Sequence, residues 1–178
     1  MAAYFLLMFT EGLLTYFRIG IIIFWTAVVF PVYAETSNLF EVIEPVDKSE
    51  LWLNAGMYSY HYDKTQSFNN NNIGFGAEYR FSSVASVTLG EFKNSDSTHS
   101  NYVGIYWQPI SLGFINLGVV GGGFNGYASA NNGKWFPAVF PAATVEGEWI
   151  GANLFFIPTV GGRVHGAVSL QLKLKVFD

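Results

Sequence analysis

Apolar and polar residues alternate along eight segments between Leu51 and Phe177, and alternation with a period of two predicts β-strands. The last segment shows this most clearly, because apolar residues occupy every second position from Val168 to Val176 and polar residues stand between them. Polar loops or turns separate consecutive segments, as in a series of β-hairpins. The predicted strands are 51–62, 73–81, 84–92, 102–108, 113–124, 136–146, 150–157 and 165–177.

The connections between the predicted strands alternate in length. The long ones, rich in Asn, Ser and Gly, are 63–72, 93–101 and 125–135, and the short ones are 82–83, 109–112 and 147–149. An even number of strands of about ten residues, with long loops at one end and short turns at the other, is typical of transmembrane β-barrels. We therefore predict an all-β fold, an eight-stranded antiparallel transmembrane β-barrel, in which closure removes every sheet edge. A soluble up-and-down barrel of the lipocalin type is the structural alternative.

The composition favours the membrane. The chain is 51% hydrophobic and 12% charged, whereas about 25% of the residues of an average domain are charged. Aromatic residues recur near the predicted strand ends, as in the interfacial girdle of a membrane barrel. They are Trp52, Tyr62, Phe81, Trp107, Trp135 and Trp149. On the first strand, alternation places Trp52 with Tyr58 on one face and Ser59 with His61 on the other.

Several classes of function find no support in the composition. The chain has no cysteine, which excludes disulfides, zinc–thiolate sites and thiol catalysis. Its net charge of −4 gives no basic patch for nucleic acid. The histidines His61, His99 and His165 are scattered without the spacing of metal ligands. We therefore expect no nucleic-acid partner, no metal site and no cofactor.

The N-terminus has the features of a secretory signal peptide. Arg18 precedes a mostly apolar run over 19–32, and Val32-Tyr33-Ala34 fits a small-residue cleavage site. We predict a cleaved signal peptide over 1–34, with an uncleaved membrane anchor as the alternative. Residues 35–50 would then form a periplasmic segment, either a short helix or a loose tail, and the barrel would cover 51–178.

Candidate chemistry lies at the end of the barrel that carries the long loops. His61 ends the first strand there, on the face of Ser59, and Ser95 ends the third strand. A histidine near a serine can act as general base for a hydroxyl nucleophile, whereas a histidine that merely hydrogen-bonds a loop is the structural alternative. Glu78, on the lumen face of the second strand, could orient the imidazole, or it could pair with Arg80 or with another lumen group.

Three stretches of the sequence carry motifs that occur together in one protein family. The first is Tyr62-Asp63-Lys64, followed by an Asn-containing loop and Gly74-Phe75-Gly76. The second is Phe92-Lys93-Asn94-Ser95, with Trp107 twelve positions after the serine. The third runs from Pro137 through Pro141 to Val145, with Pro158 seventeen residues after Pro141. In these stretches the chain resembles the lipid A palmitoyltransferases, eight-stranded outer-membrane barrels that move an acyl chain from a phospholipid to lipid A.

The resemblance implies a catalytic set of His, Asp and Ser at the outer rim, from which this sequence departs twice. Asn94-Ser95 stands where the family has Asp-Ser, so the carboxylate is missing. The family histidine falls on Met57, four residues before His61, and an even offset keeps His61 on the same face. The implied catalytic residues are His61 as base, Ser95 as nucleophile or polar partner, and Asn94 in place of the carboxylate.

The resemblance also implies a lipid-binding lumen and a lateral lipid gate. The family prolines that flank a break in sheet pairing are matched by Pro141 and Pro158, and proline suits such a break because it lacks the backbone N–H of the ladder. A family glycine at the floor of the acyl pocket is replaced by Tyr106, whose phenol would make the pocket shallower. We assign Tyr106 and Glu78 to substrate binding.

Pattern and resemblance together predict a monomer in the outer membrane of a Gram-negative bacterium, with phospholipid and lipopolysaccharide as partners. The expected activity is transfer of an acyl chain from a phospholipid to lipid A or a related acceptor, or hydrolysis of the lipid ester. Two alternatives stay open. One is a non-catalytic outer-membrane barrel with a structural or sensing role, and the other is a soluble carrier of an apolar ligand.

Overall fold

The computed structural model describes residues 39–161 and 164–178, and within them the regular elements are nine strands and one short 3-10 turn at Asn131–Gly133. The strands are β1 (Phe40–Val42), β2 (Asp47–His61), β3 (Asn71–Ser82), β4 (Ala85–Lys93), β5 (His99–Leu112), β6 (Ile115–Phe124), β7 (Phe136–Glu146), β8 (Ile150–Ile157) and β9 (Ala167–Phe177). The eight predicted strands correspond to β2–β9.

Strands β2–β9 form a closed antiparallel barrel. Each strand pairs with the next along the chain, and β9 pairs back onto β2 from Leu51↔Phe177 to His61↔Ala167. The long connections lie at the end where β2 finishes, which we call the loop end, and the short turns lie at the opposite turn end. The predicted eight-stranded antiparallel barrel is thereby confirmed.

The described part of the N-terminal segment is extended rather than helical. Residues 40–42 form β1, which pairs with β5 from Phe40↔Leu112 to Val42↔Ile110. The pairing of β4 with β5 stops at Ala85↔Trp107, so β1 covers the stretch of β5 that β4 leaves open. The helix considered for 35–50 is therefore wrong over 39–50, because residues 40–42 pair with β5 and residues 47–50 already belong to β2. The predicted signal peptide lies outside the described residues, and no helix within the described ranges is long and apolar enough to cross a membrane.

The barrel has an apolar outside and a polar inside. On β3, Ile73 and Phe75 face outward with 69% and 67% of their surface exposed, while Glu78 and Arg80 face inward at 1% and 2%. Further outward apolar residues are Leu53, Val87, Leu89, Val103, Ile105, Leu170, Leu172 and Leu174. A soluble barrel has the reverse polarity, because water favours charged residues on the surface. An apolar band around a polar lumen is the arrangement of transmembrane barrels.

An irregularity at Gly56 reverses the alternation along β2. The pairing with β3 shifts between Ala55 and Met57, and the pairing with β9 shifts over the same stretch. A Cβ atom on Gly56 would lie 2.2 Å from the Asn72 carbonyl oxygen, so this close approach requires glycine. Inward positions are consequently even-numbered before Gly56 and odd-numbered after it. The assignment of Trp52 to the outer girdle is therefore wrong, since its side chain is 0% exposed and lies in the lumen.

Buried charges occupy the lumen at the turn end. The Glu78 carboxylate lies 3.1 Å from Lys173 Nζ and 3.4 Å from Arg80 Nη2. Glu146 Oε1 lies 2.6 Å from the same lysine and 2.7 Å from the same arginine. Each charge has an opposite charge within reach, as burial away from water requires. This charge network, comprising Glu78, Arg80, Glu146 and Lys173, forms the polar half of the lumen and leaves the apolar half at the loop end.

Candidate active site at the loop end of the barrel

An apolar cavity of about 140 Å³ lies inside the barrel and extends from the loop end down to Tyr106. Its apolar walls are formed by Met57, Phe92, Val120, Phe124, Phe136, Phe140, Phe155 and Ile157. Its polar lining at the loop end includes His61, Ser95 and Tyr127. An apolar pocket with a few convergent polar groups is the usual form of a small-molecule site.

The polar group at the mouth of the cavity is a Ser–His–Asn arrangement. His61 Nε2 lies 2.9 Å from Ser95 Oγ, and His61 Nδ1 lies 2.8 Å from Asn70 Oδ1. The amide oxygen of Asn70 can only accept, so the Nδ1 proton belongs to that bond and Nε2 presents its lone pair to the serine hydroxyl. A nucleophile, a base and a third group that orients the base are the parts of a catalytic triad, and asparagine is the third member in some cysteine proteases.

Burial and stacking fix the imidazole of His61. The side chain is 4% exposed and stacks on the ring of Phe68, with ring centroids 4.5 Å apart. Its position follows from the parity of β2 beyond Gly56, which turns His61 inward opposite Ala167 of β9. Asn70 belongs to the loop before β3, where its carbonyl accepts the N–H of Ser59. The base and its orienting group are thus held by one hairpin.

Asn94 makes no hydrogen bond to His61, although the resemblance implied that it stands in place of the family's carboxylate. Its buried amide donates to Thr98 Oγ1, Ser100 Oγ and the Gly126 carbonyl, and its Oδ1 accepts the amides of Asp96 and Thr98. These bonds tie the β4–β5 turn to the loop after β6. Asn94 therefore shapes the turn that presents Ser95, and the orienting contact to His61 comes from Asn70 instead.

A second histidine and a carboxylate flank the site. His165 Nδ1 lies 3.6 Å from Asp63 Oδ2, and the His165 ring packs against Phe68 with centroids 4.8 Å apart. The side chain and the amide of Thr65 hydrogen-bond to Asp63 and hold the pKa of this carboxyl below its usual value. His165 also lines the cavity, and both partners are about one-third exposed, so the pair joins two loops beside the site.

The two residues assigned to substrate binding lie in different surroundings. Tyr106 points inward at 2% exposure, while Trp107 points outward at 58%, as alternation along β5 predicts. The Tyr106 hydroxyl accepts a hydrogen bond of 3.3 Å from Asn153, so this ring separates the apolar cavity from the polar half of the lumen. Glu78 belongs to the charge network below that ring and does not line the cavity.

Glu78 also lies far from the imidazole that it was considered to orient. It pairs across the sheet with Trp52, nine positions before His61 on β2, which corresponds to roughly 25–30 Å along a strand. Orientation of His61 by Glu78 is therefore excluded by distance. The alternative considered for Glu78, pairing with Arg80 or another lumen group, is what the structure contains, since both Arg80 and Lys173 contact its carboxylate.

The two prolines assigned to a lipid gate border an interruption of the sheet. β7 pairs with β8 from Ala142↔Phe155 to Glu146↔Gly151, and within the described residues no further β7–β8 pair occurs towards the loop end. Pro141 stands one position beyond the last pair on β7, and Pro158 directly follows β8. Phe140 and Ile157, on the two sides of the interruption, both line the cavity.

Two residues at the site, Asn70 and Tyr127, could not be identified from the sequence. Asn70 is one of four consecutive asparagines, a composition that indicates a turn and nothing more. Tyr127 lies in a long loop whose course cannot be read from alternation. No group of three or more His, Cys, Asp or Glu side chains that could hold a metal ion occurs within the described ranges.

Comparisons with known proteins bear on the fold. No family model matches the chain, and no curated protein matches it. Among solved structures, the chain is similar to a protein from "De novo design of transmembrane beta-barrels", with 15% sequence identity and a TM-score of 0.51. The match covers 74% of this chain and 100% of the designed one. The chain is therefore an eight-stranded barrel that resembles a transmembrane β-barrel, which is consistent with a membrane location.

Proposed function

We propose that this protein is an outer-membrane acyltransferase, similar to the lipid A palmitoyltransferases, that takes an acyl chain from a phospholipid. The observation that carries the proposal is the Ser95–His61–Asn70 arrangement at the mouth of an apolar cavity. The apolar exterior supports a position in a bilayer, here the outer membrane of a Gram-negative bacterium. Phospholipid and lipopolysaccharide are the proposed partners, and the barrel acts as a monomer.

The first half-reaction places the acyl chain on the serine. Ser95 Oγ attacks the carbonyl carbon of a phospholipid ester, and His61 Nε2 takes the hydroxyl proton. The tetrahedral intermediate collapses, the ester C–O bond breaks, and the leaving oxygen of the lysophospholipid takes the proton back from His61. Asn70 keeps the imidazole in the required tautomer and orientation throughout.

The second half-reaction releases the chain to an acceptor. A hydroxyl of lipid A or of a related acceptor gives its proton to His61 and attacks the acyl carbonyl carbon. The bond to Ser95 Oγ breaks, and the serine oxygen recovers the proton from His61. With water as acceptor the same steps hydrolyse the ester. Burial of the site limits access of water and favours transfer.

The interruption between β7 and β8 supplies a route for the chain. A phospholipid in the bilayer meets the barrel from the side, and at this place no ladder hydrogen bonds join the described parts of the two strands above Ala142 and Phe155. The cavity walls there are Phe140 and Ile157, whose apolar side chains suit an acyl chain. Lateral entry at Pro141 and Pro158 lets the chain reach Ser95 without crossing the charge network.

Removal of either member of the serine–histidine pair tests the proposal. In purified protein in detergent micelles with mixed phospholipids, Ser95→Ala and His61→Ala should each slow release of lysophospholipid by at least about 10²-fold, because each removes a group that acts on the reacting atoms. His99→Ala is the matched control, since His99 is exposed and lies outside the cavity lining. A folded His61→Ala protein with full activity would contradict the assignment. Absence of turnover by the wild type on any lipid would favour a non-catalytic barrel.

A further inference from the structure

The side chain of Tyr127 reaches the nucleophile from the loop after β6. Its ring packs edge-to-face on Phe136, with centroids 6.1 Å apart, and lines the same cavity as His61 and Ser95. Its carbonyl accepts the amides of Ala130 and Gly133 at 3.1 and 2.9 Å, so the backbone around it forms a compact turn. The ring contact with Phe136 and the hydrogen bonds to its carbonyl therefore hold Tyr127 at the site.

The Tyr127 phenol lines the cavity together with Ser95 and Asp96, the residue that follows the serine. Its hydroxyl therefore faces the space in which an ester bound at Ser95 would lie. Burial, followed by the negative charge of Asp96, raises the pKa of Tyr127 above its ordinary value. The group beside the nucleophile is accordingly a protonated hydroxyl, which donates.

The backbone amides that follow the nucleophile are occupied. In many serine hydrolases the amide of the residue after the nucleophile stabilises the oxyanion. Here the amide of Asp96 donates to Asn94 Oδ1 at 2.9 Å, and the amide of Thr98 donates to the same oxygen at 3.0 Å. Attack of Ser95 on an ester places negative charge on the carbonyl oxygen, and a donor must meet that oxygen from another side.

We propose that Tyr127 is that donor, a further catalytic residue whose hydroxyl stabilises the oxyanion formed on attack by Ser95. This assignment rests on the proposed acyl transfer. Tyr127 lies outside the three stretches of sequence that resemble the lipid A palmitoyltransferases. Without a substrate the phenol and Ser95 face the same cavity. When the ester enters, its O–H turns to the carbonyl oxygen, and no atom is transferred. Removal of one oxyanion donor lowers rates by about 10²–10³-fold in other enzymes.

A fluorophosphonate with a short alkyl chain tests this role without an acceptor lipid. Ser95 Oγ forms a bond to phosphorus, fluoride leaves, the hydroxyl proton passes to His61, and the phosphoryl oxygen takes the place of the oxyanion. Tyr127→Phe removes only the hydroxyl and keeps the ring contact with Phe136. It should label about 10²-fold more slowly than the wild type, as followed by intact mass. Tyr58→Phe, on the outer face at 58% exposure, is the matched control and should label at the wild-type rate.

The outcomes separate this inference from the function on which it rests. If wild type labels at Ser95 and folded Tyr127→Phe labels equally fast, Tyr127 is not the donor while the nucleophile stands. If the folded wild type does not label at Ser95, the acyl-transfer proposal fails and this inference falls with it. Should Tyr127→Phe not fold, Tyr127→Gln, which keeps an N–H donor, is expected to label faster than Tyr127→Leu. Equal rates for those two variants would overturn the assignment.

Discussion

At the scale of single residues, the site depends on one imidazole that is fixed on three sides. Asn70 accepts from Nδ1, Ser95 meets Nε2, and Phe68 covers a face of the ring. A neutral asparagine orients the imidazole without adding a negative charge. In the proposed reaction, the positive charge on His61 would therefore be stabilised less than it would be beside a carboxylate. We expect turnover to be slower than in a carboxylate triad for this reason.

Tyr106 sets the depth of the cavity, and its removal should lengthen the preferred acyl chain. An apolar cavity of about 150 Å³ holds a molecule the size of benzene, so the present volume of about 140 Å³ is small for a sixteen-carbon chain. Each methylene that is excluded forfeits about 0.8 kcal/mol of transfer free energy. In a mixed-donor assay the wild type should select chains shorter than palmitate, and Tyr106→Gly should shift selectivity towards longer chains.

Substitution of an outward-facing residue of β5 by glycine is the control for this experiment. It shows what a glycine does to the strand when the cavity itself is unchanged. Ile105 is 55% exposed next to Tyr106, so Ile105→Gly should leave chain selectivity unchanged. Selection of sixteen-carbon chains by the wild type, or unchanged selectivity in Tyr106→Gly, would show that this tyrosine is not the floor.

The sequence predicted that His61 and Ser95 lie close together, as the structure shows, but it did not predict the residues that support them. His61 and Ser95 could be paired because two strand ends meet at the same end of a barrel, two strands apart. Asn70 could not be identified, because a run of asparagines predicts a turn without predicting which side chain turns inward. The contacts of Asn94 could not be predicted either, because a motif gives positions along the chain, whereas the hydrogen bonds of a buried amide depend on the loop that closes over it.

At the scale of elements, alternation predicted the barrel strands well and failed where the period breaks. One irregularity at Gly56 was enough to exchange the two faces of β2 and to place Trp52 in the lumen. Alternation carries no signal for such a shift, although a glycine in a strand indicates a possible close approach. The strand β1 was missed because three residues are too short to show a period.

The interruption between β7 and β8 gives a prediction at the same scale. The chain has no cysteine, so Val139→Cys with Phe156→Cys places the only two thiols on opposite sides of the opening. Joining them with a short bis-maleimide should block lipid entry and reduce turnover at least about tenfold, while the barrel stays folded. The measurement is lysophospholipid release before and after crosslinking.

A crosslink where the strands already pair is the control for that experiment. Val145 and Ala152 are partners in the β7–β8 ladder, so joining cysteines at these positions should leave turnover unchanged. Full turnover after complete crosslinking of the upper pair would argue against lateral entry at this place.

At the scale of the whole molecule, the lumen of the barrel has a charged half at the turn end and a cavity at the loop end. The charge network fills the lumen at the turn end and links β3, β7 and β9. The cavity occupies the loop end, where the loops bring His61 and Ser95 together. Tyr106 lies between the cavity and the network, which is not part of the cavity lining. Alternation could predict which residues face the lumen and which face outward. It could not predict that the charged residues gather at the turn end and the cavity at the loop end, since this depends on which lumen residues meet across the barrel.

The most direct test of the account is the lipid content of outer membranes from cells with the wild-type protein, with Ser95→Ala, and with neither. Inner and outer membranes are separated, the protein is located by heat-modifiable gel mobility, and the lipids are identified by mass spectrometry. We predict that the wild type fractionates with the outer membrane and that it alone yields a lipid with one added acyl chain of fewer than sixteen carbons, or the free fatty acid, together with lysophospholipid. Identical lipid profiles in the three strains, with folded wild-type protein in the outer membrane, would contradict it.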